Sequence, residues 1–117
     1  MSFIKQNTLK HDVKFEGIGL HSGEMVNMAL SPAPFDTGIV FRRVDLQPVS
    51  TLKLSVDNMQ ESLLCSKLVS GDLSISTIEH LLSALCAFQI DNVFVDLDAP
   101  EVPVFDGSAR VYVQALA

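Results

Sequence analysis

Ser74-Ile-Ser-Thr-Ile-Glu-His-Leu-Leu-Ser-Ala-Leu-Cys-Ala-Phe88 is the stretch that decides how this chain is read. Its apolar residues at 78, 81, 82, 85 and 88 recur at helical spacing, so one side of a helix here is expected to be buried. Ser76 stands where an N-cap is wanted, with Glu79 three residues on, the arrangement of a capping box. His80 follows Glu79 directly, about 100° further round the axis at 3.6 residues per turn. A carboxylate beside an imidazole can serve as general base and metal ligand. The plainer reading is that Glu79 completes the capping box and His80 is a polar residue near a helix start. No second His lies four residues from His80, so this is not the His-Glu-x-x-His pattern of zinc proteases. A catalytic zinc takes three protein ligands and one open position, so further ligands would have to come from elsewhere.

Working outward, the 117 residues suit one domain with a real core. Nearly half are apolar (48%) and mean hydropathy is +0.32, which fits a globule with some surface meant to be covered. No apolar run reaches the roughly 18 residues that span a bilayer, and the first residues show no signal-peptide core. The expected location is therefore cytoplasmic. Formal charge is −6, and the eight basic residues do not cluster beyond Arg42-Arg43, which argues against a nucleic-acid partner. Cys65 and Cys86 sit among apolar residues without metal-type spacing and are expected as reduced core thiols, with a disulfide as the alternative.

Before residue 74 the chain reads as sheet and turns. Residues 3–10 and 12–16 mix apolar and polar residues as half-exposed strands do. Gly17-Ile-Gly-Leu-His-Ser-Gly23 precedes a strand rather than a helix, so it fails as a dinucleotide fingerprint and reads as a tight turn whose glycines supply positive φ. His21 within it can face a site. Strands are expected over 25–30, 38–44, 52–56 and 62–69, with Ser70-Gly-Asp as connector into the helix. After the helix come a strand over 91–97, an extended run over 98–108 held by two prolines, and a short helix over 109–117 with Val111, Val113 and Leu116 apolar. The expected fold is α+β, two layers, with a mixed or mostly antiparallel sheet and two helices packed on one face.

Three of these stretches taken together resemble one family. Residues 17–23, residues 75–85 and the pair Ile90-Asp-Asn92 with Ala99-Pro-Glu-Val-Pro-Val-Phe-Asp-Gly-Ser108 are similar, in order, to the N-terminal half of the UDP-3-O-acyl-N-acetylglucosamine deacetylases. Asp36 to Asp45 fits the same pattern, and the likeness covers essentially all of the chain. The resemblance implies a zinc hydrolase of lipid A biosynthesis that removes the N-acetyl group from a UDP-linked, 3-O-acylated glucosamine, with its active site between two similar α+β domains. It implies Glu79 as general base, His80 as a zinc ligand, and Leu63, Leu64 and Cys65 as residues lining the substrate site. Asp106, followed by Gly-Ser, is explained by turn and capping chemistry and is given no catalytic role.

The sequence departs from the family in one respect. In the family the other two zinc ligands form a His-x-x-x-Asp pair in a second domain, where a further His acts as general acid. The histidines here are His11, His21 and His80, and none is followed by Asp four residues later. The expectation is a single domain over 1–117, ending within its second helix, inactive alone, with the second domain missing. Self-association is expected through the face around residues 63–65 that a second domain would cover. The alternative is a free-standing, non-catalytic binding or regulatory domain of the same fold.

Overall fold

The computed structural model describes residues 5–61, 66–71, 73–105 and 107–117. Strands β1 (Val13–Ile18), β2 (Met25–Pro32), β3 (Ile39–Arg43), β4 (Ser50–Lys53) and β8 (Val93–Leu97) form one sheet in the order β1-β2-β8-β3-β4. All its pairs are antiparallel except β3 with β8, so the sheet is mixed, as expected. Strands β5 (Met59–Glu61), β6 (Ser66–Ser70) and β7 (Leu73–Ser76) make a small antiparallel sheet. Helix α1 spans Glu79–Ala87 and α2 spans Arg110–Leu116. The α+β reading therefore holds.

Alternation of side chains along each strand explains the core. One rung crosses four strands, Leu30 opposite Val95, Val95 opposite Phe41 and Phe41 opposite Leu52, and every member is buried. Ile78, at the N-cap of α1, and Leu81, Ala84 and Leu85 within it, all fully buried, join the same cluster with Leu68, Ile75 and Tyr112. The stripe read from the sequence is thus the buried face of α1, while Leu82 and Phe88 lie at its margin, half-buried.

Several boundaries differ from expectation, each for a local reason. Residues 5–12 form no strand: Asn7 and Thr8 bond instead to the 89–92 turn, where the Asp91 and Asn92 amides donate to the Asn7 carbonyl at 2.9 and 3.1 Å. Buried Asn92 accepts from the Gly38 amide at 2.8 Å and donates to Gln6, which explains the Ile90-Asp-Asn92 motif structurally. Ser70-Gly71 leads into β7, not into the helix, because residues 73–76 pair with β6. The run expected over 62–69 is described only from Ser66 onward, where it is β6.

In α2 the buried residue is Tyr112, not Val113, which is 37% exposed. Cys86 is an exposed free thiol rather than a core residue, since its position on α1 falls off the buried stripe. No helix among the described residues is long and apolar enough to cross a membrane.

Candidate functional site

Ser76 does not cap α1. It is the last residue of β7, and its amide and carbonyl are taken up by the 100–102 segment: the Ser76 amide donates to the Pro100 carbonyl at 2.9 Å, and the Val102 amide donates to Ser76 at 3.2 Å. The N-cap position falls to Ile78, with no side-chain cap, so the capping box does not form. Glu79 opens the helix itself, where a carboxylate is favoured by the helix dipole.

Between strand and helix sits Thr77, at φ 63° and 2% exposed. A β-branched residue in the left-handed region is strained, and its buried Oγ1 has no hydrogen-bond partner among the described residues. The chain reverses at Thr77 and delivers Glu79 and His80 to the first turn of α1, both half-buried. One apolar side of that turn is buried through Ile78 and Leu81, so the two polar side chains emerge together at its margin.

The glycine-rich turn after β1 reaches the same neighbourhood through the 100–104 segment. The Val104 amide donates to the Ile18 carbonyl at 2.9 Å, and Gly19 bridges Pro103. Two residues earlier in the segment Ser76 bridges Glu101. The 100–104 segment therefore touches both the glycine turn, at Gly19, and the end of β7, at Ser76.

Glu101 is 3% exposed, and its carboxylate accepts from the His21 amide at 2.9 Å and from the Ser22 amide at 3.1 Å. A Cβ on Gly19 would meet that carboxylate at 2.6 Å, so this glycine is needed for close approach. Of the three glycines in the turn only Gly23 takes positive φ, at 68°, which corrects the expectation that all of them serve that purpose.

The structure therefore brings three sequence motifs to one place, and His21 stands exposed on the turn held by Glu101. Leu63, Leu64 and Cys65, and likewise Asp106, lie outside the described residues. Sequence reading passed over Thr77 and Glu101. For Glu101 there was a signal, a lone charge within the apolar run Ala99-Pro-Glu-Val-Pro-Val104, which asks for a buried partner. Among the described residues no group of three His, Cys, Asp or Glu side chains is placed to hold a metal ion. The described donors thus do not by themselves make a zinc site, for which His80 is one imidazole.

The family model described as UDP-3-O-acyl N-acetylglycosamine deacetylase matches residues 6–117. Proteins named UDP-3-O-acyl-N-acetylglucosamine deacetylase from Thioalkalivibrio sulfidiphilus, Pseudomonas entomophila and Alcanivorax borkumensis are 50%, 51% and 52% identical over 110 residues. Each alignment covers 94% of this chain and 36% of the relative, so the chain spans about a third of the length of these relatives.

Proposed function

Since the chain belongs to the UDP-3-O-acyl N-acetylglycosamine deacetylase family, we propose that its 117 residues are a single domain forming part of an enzyme that hydrolyses the N-acetyl group of UDP-3-O-acyl-N-acetylglucosamine in lipid A biosynthesis. The observation that carries this reading is the placement of Glu79 and His80 side by side on the exposed margin of the first turn of α1. A strained residue, Thr77, two positions before Glu79 fits a site where backbone strain is tolerated for function.

In this reading Glu79 is the general base. Its carboxylate takes a proton from the water that attacks the acetyl carbonyl; a carbon–oxygen bond forms, the carbon–nitrogen bond breaks, and the amine leaves with a proton from an acid outside this chain. His80 is this chain's contribution to a zinc site whose other ligands lie outside it. Zinc, when bound, supplies a Lewis acid for the carbonyl and lowers the pKa of water towards neutrality.

Leu63, Leu64 and Cys65 are proposed to line the substrate site. Ile18, Leu20 and Met25, exposed by 45%, 50% and 56% beside the glycine turn, give the remaining portion of the enzyme an apolar surface to cover. Without that cover the chain is expected to self-associate and to be inactive.

The test is zinc content and acetate release from UDP-3-O-acyl-N-acetylglucosamine, measured on the chain alone and after mixing with the separately expressed remaining two thirds of a relative. Activity and zinc that arise only on mixing support the reading. Their absence in both conditions contradicts it and favours a non-catalytic domain of the same fold.

A further inference from the structure

Glu101 is the described residue that touches two of the three motifs at once. Its backbone bridges Ser76, three residues before Glu79, and its side chain holds the amides of His21 and Ser22. The partners lie 80 and 79 residues away in sequence, so nothing local arranges them. Both carboxylate oxygens accept, one from each amide, which fixes the orientation of two consecutive peptide units rather than one. The carboxylate is almost wholly withdrawn from water at 3% exposure, so these bonds are made in a medium where they are strong and where losing one is costly. Gly19 leaves room for this approach, and a side chain there would strike the carboxylate at 2.6 Å.

A buried carboxylate is an expensive way to close a turn. The turn has its own backbone closure, since the Gly23 amide donates to the Gly19 carbonyl at 3.0 Å and the Gly19 amide to Glu24 at 2.9 Å. Those bonds hold the ends of the turn. They leave the peptide units of His21 and Ser22 to be fixed by something else, and Glu101 fixes them. From this we propose that Glu101 is a positioning residue: it locks the turn carrying His21 to the segment that aligns β7 and the start of α1, so that the His21 imidazole keeps a set place relative to Glu79 and His80.

What the turn serves rests on the deacetylase reading; how the turn is held does not, and the test separates the two. In its first arm the chain alone is compared with Glu101→Gln, which keeps the size of the side chain but puts an NH2 where one acceptor stood. Amide exchange at His21 and Ser22 is expected to rise about ten- to a hundredfold, the worth of one hydrogen bond to a charged acceptor. Exchange at Val95 and Leu30 should stay as it was. Unchanged exchange at 21 and 22, or an equal rise throughout, overturns the proposal. Should that variant fail to fold, Glu101→Asp, which keeps the charge but shortens its reach, is measured instead: a rise confined to 21 and 22 is expected, and unchanged or uniformly raised exchange overturns the proposal.

In the second arm the chain is complemented with the remaining two thirds of a relative, and kcat/KM is measured for Glu101→Gln, His21→Ala and both together. The double variant is expected to be no worse than the weaker single variant, because both changes remove the same placement. Losses that multiply would show that Glu101 acts by another route and would overturn the link to His21. If the unmodified complemented protein has no deacetylase activity, the deacetylase reading fails, and the first arm still judges the hold on the turn.

Discussion

The Tyr112 hydroxyl donates to the Pro103 carbonyl at 2.6 Å, tying α2 to the extended segment that also braces the glycine turn. Both residues are buried, and the Tyr112 ring meets Phe15 and Phe105 edge-on, with centroids at 5.1 and 5.3 Å. Tyr112→Phe keeps the ring contacts and leaves the Pro103 carbonyl buried without a donor, so a loss of about 1–3 kcal/mol is expected in denaturant unfolding.

Burial also pushes the Tyr112 hydroxyl above its ordinary pKa of 10.0. A raised pKa in the folded state means stability that is complete below pH 10 and is lost as pH rises beyond it. The unmodified chain should therefore lose stability above that pH, and Tyr112→Phe should show a flatter alkaline limb. Parallel alkaline curves for the two proteins would contradict this.

Thr77 carries a buried hydroxyl with no partner among the described residues. Thr77→Val keeps the branched shape and removes the unpaired group, so the chain is expected to gain about 1 kcal/mol, read as a higher denaturant midpoint at unchanged slope. A lower midpoint would show that the hydroxyl is in fact satisfied.

The Arg43 guanidinium, beside Asp45 with Nη2 to Oδ2 at 2.7 Å, holds that carboxyl below its usual range. Such a group contributes stability above its unfolded pKa, near 3.8, that is lost as pH falls below that value. Asp45 is part-exposed, so the pair itself is worth at most about 1 kcal/mol. Asp45→Asn should therefore lower stability modestly at neutral pH and show less further loss on acidification below pH 3.8 than the unmodified chain.

Much of this fold was legible because its elements obey local periodicity. The stripe at 78, 81 and 85 is the buried face of α1, and the β-branched run at 93–97 is the central strand β8. The capping box failed because Ser76 is drawn into pairing with Pro100 and Val102, a contact between distant segments that outweighs local capping chemistry. Residues 5–8 failed as a strand for the same reason, their polar groups being claimed by Asp91 and Asn92.

At the site, Glu79 and His80 were found through their adjacency on a helix. Glu101 was missed because its partners lie across the whole chain, where no periodicity reaches. Val111, Val113 and Leu116 were read as the apolar residues of the last helix, but its buried residue is Tyr112, whose phenol has an acceptor in Pro103, while Val113 is 37% exposed.

Glu79 and His80 are half-buried at the helix margin, and neither belongs to the core cluster. Glu79→Gln and His80→Ala should each shift folding stability by under about 1 kcal/mol, as surface changes do. A large loss of stability in either variant would mark these side chains as structural.

The most direct test of the central claim is acetate release by the chain complemented with the remaining two thirds of a relative, compared between the unmodified chain and Glu79→Gln. Turnover by the first and a loss of at least a hundredfold in the second, about the contribution of a general base, is the expected result. Equal turnover by both would contradict the role given to Glu79, and with it this account of the site.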